Sequence, residues 1–409
     1  MDLSRRGTRG FVLVTMAISS AAVLACVGLA IDTGYLQLVK SRMQTAADAA
    51  AVGGVQEIRQ NGGARVTDAA RADAALNGFT HGQNSVSIAV NNPPAAGYYT
   101  SDHAAVEVII SQDVGTLFMG VLDFRSVSVR ARAVARQGSA SSCVYVLDPG
   151  ASNAFSASGG ANVVVNCGIL VDSSSSNALQ ASGGAQVTAT SIAVTGNYSS
   201  SGGAVLSPAP VIHVSPTDDP LANLTPPAVG ECDQSGFNVS SGLSKTIAPG
   251  VYCNGISISG GSQVTLQAGT YILLGGGLNL SGGSTLTGTG VTFYNTGEAG
   301  HPYHAINISG GTTVTLSAPT SGSLAGILFY QDASISSGQQ SSVSGGASSV
   351  FDGALYFPTT PLSYSGGTAS AYTIIVAKTV SFSGGSTLKN DYSSLPGGSP
   401  VKGNAVLAE

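Results

Sequence analysis

The sequence predicts a mainly β chain: a parallel β-helix built on a Ser-Gly-Gly repeat, preceded by an N-terminal transmembrane helix and a small α+β module. Three observations predict it. Ser-Gly-Gly occurs nine times between Ser158 and Gly385. Apolar side chains recur at fixed places on both sides of that tripeptide. Residues 10–31 carry no charge and follow Arg5, Arg6 and Arg9.

The uncharged run has 22 residues, against the roughly 20 that cross a bilayer core as a helix. The three Arg before it and Asp32 after it place the N-terminus in the cytoplasm by the positive-inside bias. A cleaved secretory signal has an apolar core of about 7–15 residues and a small-x-small site. The run is longer and no clear cleavage box follows it, so a retained anchor is expected. The Ala-rich stretch from Gln37 to Gln56 favours helix, so the anchor should continue outward, with a break near Thr33-Gly34.

The segment Gly28-Leu29-Ala30-Ile31-Asp32, then Gln44, then Ala46-Ala47-Asp48-Ala49-Ala50 resembles the N-terminal segment of the TadE/TadG-like proteins of Flp (tight adherence) pilus systems. The resemblance covers about 50 residues and marks Asp32, Gln44, Ala47 and Asp48 as family-motif positions. It implies a bacterial inner-membrane protein tied to pilus assembly or surface adherence, with the C-terminal part in the periplasm or at the cell surface. Pilins of that system carry a leader cleaved after Gly, with Glu five residues on. Here Gly10-Phe11 is followed at that place by Thr15, so the TadG-like reading is preferred to the pilin one.

Between the anchor and the repeat, residues 57–80 read as helix, with ARVTDAARADAALN at 64–77 and Gly78 as its stop. Alternation at 85–90, 104–111 and 126–135 predicts three strands, with a short helical segment at 114–122. Arg130, Arg132 and Arg136 fall on the polar face of the third, which reads as solvated. His81 and His103 stand isolated as surface residues.

From Cys143 onward the pattern is strand, Gly-Gly bend, strand. Ile256 and Ile258 precede one bend and Val264 and Leu266 follow it; Leu278 and Leu280 precede the next and Leu286 follows. Period-2 alternation gives each strand one inward face, and a repeat near 20 residues is a solenoid signature. Roughly 12 rungs of about 22 residues are expected, right-handed as parallel crossovers are. An antiparallel sandwich or jelly roll would explain the strands but not the constant place of Ser-Gly-Gly. The six Pro between 204 and 231 cannot serve a central ladder, so that stretch reads as an excursion over the rod, with Asp218-Asp219 a solvated turn. The expected domains are 1–56, 57–138, 139–401 and a tail at 402–409.

Four Cys lie beyond the anchor: Cys143, Cys167, Cys232 and Cys253. Even numbers in an oxidising compartment suggest disulfides, and three pairings exist. Cys143–Cys167 and Cys232–Cys253 are preferred because each separation is close to one rung. A metal site lacks CxxC spacing and a nearby His. Cys26 packs in the span.

Residues 141–409 hold four Lys, eleven acids and no Arg, which excludes the basic face of a nucleic-acid binder. The acids Asp148, Asp172, Asp332, Asp352 and Asp391 are scattered singly, a thin supply for a glycan-cleaving carboxylate pair. Glu298, His301 and His304 are the richest metal candidate, but Pro302 interrupts the two His, and the stretch reads as a loop. No Gly-x-Ser-x-Gly elbow with a matching His and acid stands out. The expectation is a structural or adhesive protein, with no enzyme activity, cofactor or metal. Its expected partners are the lipid bilayer, pilus-assembly proteins or pilus subunits, glycans and copies of itself. The absence of Trp argues against aromatic glycan platforms, although 14 Tyr remain.

Overall fold

The computed structural model describes residues 5–139, 141–309, 311–346, 348–366 and 369–409, without side chains at 5–10, 60, 61, 139 and 404. The side chains of Arg5, Arg6 and Arg9 and the corner residues Gly310 and Gly367 lie outside the described residues. The chain forms two compact units: residues 1–138 with 403–409, and residues 139–402.

In the first unit, helix α1 runs unbroken from Arg5 to Asn61. The expected break at Thr33-Gly34 is absent. One Gly costs a helix only about 1 kcal/mol, the Thr33 hydroxyl bonds back to the Leu29 carbonyl, and packing fixes the outer half. Met43, Ala46, Ala47, Ala50, Ala51 and Val55 are buried in the unit's core. The helix stops where Gly62 and Gly63 turn left-handed, so the helix expected over 57–80 is really the end of α1 plus a separate α2, Val66–Leu76.

Strands β1 (Val86–Asn91), β2 (Ala105–Gly115) and β3 (Ser126–Ser139) form an antiparallel meander. The segment expected at 114–122 is helical only as a short 3₁₀ helix at Met119–Leu122; Val114 and Gly115 end β2. The expected tail instead supplies a fourth strand, Lys402–Leu407, beside β3. The solenoid is thus an insertion between two neighbouring strands of this sheet.

The second unit is a β-solenoid of about 11 parallel turns, close to the expected 12. Each complete turn has three strands, and Ser-Gly-Gly forms the corner between the second and third. In the turn after Gly250, these are residues 250–253, 256–258 and 263–266, with Ser259-Gly260-Gly261 at the corner. Gly260 and Gly261 both lie at positive φ, which Gly alone adopts without strain. The corners also stack closely: a Cβ on Gly282 would sit 2.9 Å from the Gly260 nitrogen. The gap between Ser201 and Ser259 hides one more corner, at Ser240-Ser241-Gly242, where Ser241 takes the left-handed place. Insertions at the other corners, as between Thr296 and Asn307, account for the longer gaps.

Inward rows fill the core. Rings of Tyr252, Tyr271, Phe293, Phe329 and Phe357 succeed one another at 5.9, 5.5, 5.4 and 6.4 Å, spacings at which aromatic pairs attract. Tyr145, Tyr294, Tyr330, Tyr356, Tyr364 and Tyr372 are buried too, so these Tyr form no exposed platform.

The turns do not stack in sequence order. The turn at 142–165 pairs on one side with the turn at 168–188. On its other side it pairs with the final turn: Val144 lies opposite Ile375, Phe155 opposite Val380 and Val165 opposite Leu388. The chain therefore enters the solenoid in the middle, coils to one end, returns to the far end and coils back to the entry point. The Pro-rich excursion makes that return. Val211-Ile212 pairs with the turn at 191–207. The Thr217 N–H then reaches Asp172, Asp219 accepts the Tyr356 hydroxyl at 2.7 Å, the Leu224 carbonyl accepts that of Tyr330, and Asp233 pairs with Val251. About 23 extended residues reach roughly 75–80 Å, ample for about 11 turns of about 4.8 Å. Pro suits this strap because a strap outside the ladder needs no N–H from it.

Asp219 is not the solvated turn residue expected. Burial pushes its carboxyl above the ordinary range, and the Tyr356 hydrogen bond only partly offsets this. A folded value above the unfolded one means that the ionised form costs stability at neutral pH and that the cost is relieved as pH falls. Asp219→Asn keeps an acceptor for Tyr356 and removes the charge, so it should leave the denaturation midpoint at pH 7 unchanged or raised. Asp219→Ala should lower stability by about 1–2 kcal/mol and speed proteolysis within 215–231.

Candidate functional site

The family-motif residues meet at the joint between α1 and the module that packs on it. Asp32 is 1% exposed. Its carboxylate accepts the N–H groups of Leu117 at 2.9 Å, Phe118 at 2.8 Å and Met119 at 2.6 Å, tying the β2–β3 loop to the helix. Three turns on, the Gln44 amide donates to Asp48 at 2.8 Å and to the Arg132 carbonyl of β3 at 2.9 Å. Ala47 is fully buried between them, where a small side chain lets the helix lie close to the sheet. All four motif positions therefore do mechanical work.

An ionic network closes the opposite end of the sheet. Arg132, expected on a solvated face, bonds Glu107 at 2.6 Å and Glu409 at 2.7 Å. It also donates to the Ala96 carbonyl. Glu107 is 1% exposed and takes further bonds from Asn91 and the Ala95 N–H. Burial alone would raise the Glu107 carboxyl, but these hydrogen bonds and the Arg132 charge hold it below the ordinary range. The Tyr98 N–H and Arg132 do the same for Glu409. Arg136 pairs with Asp102 and lies over Tyr99; of the three Arg, only Arg130 is exposed without such a contact. The alternation of β3 located these Arg, but sequence had no means of pairing them with an acid 277 residues away.

In the solenoid, the disulfides are Cys143–Cys167, with Cα atoms 5.8 Å apart, and Cys232–Cys253, at 5.6 Å. The first joins neighbouring turns and the second pins the end of the strap. Cys26 is exposed on the apolar part of α1. Glu298 and His301 face each other through their backbones in a tight hairpin, and His304 points to solvent. His301 instead approaches Asn254 and, at 4.0 Å, the Cys232 sulfur. Among the described residues, Cys232, Cys253 and His301 form the one group with metal-ligand spacing. The two sulfurs are bonded to each other, so no thiolate is left to ligate and the donor set does not fit a metal.

The singly scattered acids are used on backbone. Asp148 accepts from Gly150 and Ala151, Asp332 from Ser334, Asp352 from Ala371 and Asp391 from Ser393. The third wall presents in-register outward ladders. Thr246, Thr265, Thr287 and Thr315 lie opposite one another, beside Ser244, Gln263, Thr285 and Thr313.

These features define a class: a chain with one helix long and apolar enough to cross a membrane, an α+β module locked to that helix, and a disulfide-stapled β-solenoid. Residues 10–57 match the family model Tad, described as "Putative Flp pilus-assembly TadE/G-like". The matched segment supports a pilus-assembly-related membrane protein. No curated protein and no solved structure matches the chain.

The depressed carboxyls set a pH dependence. Their stabilisation is complete above the ordinary glutamate value of about 4.3 and is lost as pH falls through the lower folded value. Hydrogen exchange of the peptide covering 402–409 should be slow and flat from neutral pH to about 5 and speed up below about 4, after correction for intrinsic rates. Glu107→Gln should cost about 3 kcal/mol at pH 7 and flatten that acid limb.

Proposed function

We propose that the chain is a TadG-like structural component of a tight-adherence pilus system, anchored once in the inner membrane with its N-terminus inside. The module and solenoid lie on the far side and act by binding and spacing, without turnover. The observation that carries this reading is the use of Asp32, Gln44, Ala47 and Asp48. The segment matched to a pilus-assembly family serves as a rigid joint. Asp148, Asp172, Asp332, Asp352 and Asp391, which accept from turn or strap backbone, also suit a scaffold. Its partners are pilus-assembly proteins or pilus subunits, met on the uncharged Thr ladder of the third wall; glycans or a second copy of the chain are the other surfaces such a ladder would suit.

Thr265→Lys with Thr287→Lys should reduce pilus number and surface adherence while leaving protein level and both disulfides unchanged, because both side chains point outward. Undiminished pili and adherence in cells lacking the chain altogether would overturn the proposal.

A further inference from the structure

The loop between β2 and β3 carries the largest cluster of exposed apolar side chains beyond the anchor. Leu117 is 69% exposed, Phe118 48%, Val121 86%, Leu122 62% and Phe124 61%. No charge occurs from 116 to 122; Asp123 and Arg125 pair with each other at its edge. A soluble domain rarely leaves so large an apolar patch open.

Its position says what covers it. Phe118 lies against the anchor helix at Gly28, where a Cβ would come within 2.8 Å of the ring. Leu24, Val27, Phe118, Val121 and Leu122 line one apolar groove of about 450 Å³ between loop and helix. Leu24 is eight residues before Asp32, about 12 Å down the helix axis. If residues 10–31 span the hydrocarbon, side chains level with Leu24–Leu29 share its outer leaflet.

The loop backbone suits that depth. Irregular backbone in lipid requires its polar groups to be satisfied internally. Asp32 takes three of the loop's N–H groups, those of Leu117, Phe118 and Met119. Val121, Asp123 and Phe124 donate to carbonyls within the loop. Thr116 bonds the Arg125 carbonyl through its N–H and that of Phe124 through its hydroxyl.

We propose that residues 117–124 form a second membrane contact, a wedge seated in the outer leaflet of the bilayer beside the anchor, with an acyl chain in the groove. It fixes the height and tilt of the module on the membrane, which a single helix leaves free. The inference rests on the anchor reading above.

The chain has no Trp, so single substitutions report cleanly. Full-length Val121→Trp, Leu122→Trp, Val14→Trp in the anchor and Tyr98→Trp at the far end of the sheet are compared in phosphatidylcholine vesicles with brominated acyl chains. Val14→Trp, Val121→Trp and Leu122→Trp should emit in the blue and lose most of their emission to the bromines, while Tyr98→Trp is quenched only by aqueous acrylamide. Quenching of Val14→Trp by bromine, with Val121→Trp and Leu122→Trp answering only to acrylamide, overturns the wedge and leaves the anchor standing. No bromine quenching at Val14 overturns both.

Discussion

The parallel ladder between residues 375–388 and residues 144–165 is the interaction on which the solenoid depends. It joins the last turn of the chain to the first, and it decides the rest of the topology. Because those turns are neighbours, the chain enters and leaves at one level, which suits an insertion between adjacent strands of a sheet. Because the coil grows from that level to one end, the remaining turns can be built only from the other end, and a strap must carry the chain there. The Pro-rich sequence, the buried Tyr294, Tyr330 and Tyr356 and the Cys232–Cys253 bond all follow from that requirement. The strap covers part of this Tyr row, whose hydroxyls, at Tyr330 and Tyr356, hold it in place.

The first unit answers a different constraint. A single membrane helix can transmit orientation only if it is continuous and clamped. Asp32 clamps it at the base and Gln44 three turns above, with a row of buried Ala from Ala46 to Ala51 beyond it. The Glu107–Arg132–Glu409 network then fastens the returning chain to the same sheet. Because Glu107 is buried and charged, this fastening depends on every partner being present.

Local patterns were readable from sequence and long-range order was not. The Ser-Gly-Gly corners, the inward rows and the Cys pairings rest on residues within about one turn of each other, so spacing exposes them. The permuted order of turns leaves no trace in spacing, since a rung at 373 looks alike whether it meets the rung at 350 or the one at 142. Lys402–Leu407 looked like a tail because one short strand has no periodicity to display. The Gly62-Gly63 stop was in plain view but was outweighed by Ala content on both sides. Asp219 was misjudged because burial by a partner 137 residues away is invisible locally. Within the joint, the motif residues were identified by resemblance, and their mechanical role came only from the contacts of Asp32 and Gln44.

The central claim is that the final turn lies directly on the first. Ser156 and Ser381 face each other in register on adjacent strands, both partly exposed, at a separation that a disulfide spans. Ser156→Cys with Ser381→Cys, oxidised and mapped by peptide mass spectrometry, should yield a bond between positions 156 and 381 with Cys143–Cys167 and Cys232–Cys253 intact. A folded protein with both native disulfides and two free thiols at 156 and 381 would contradict the account.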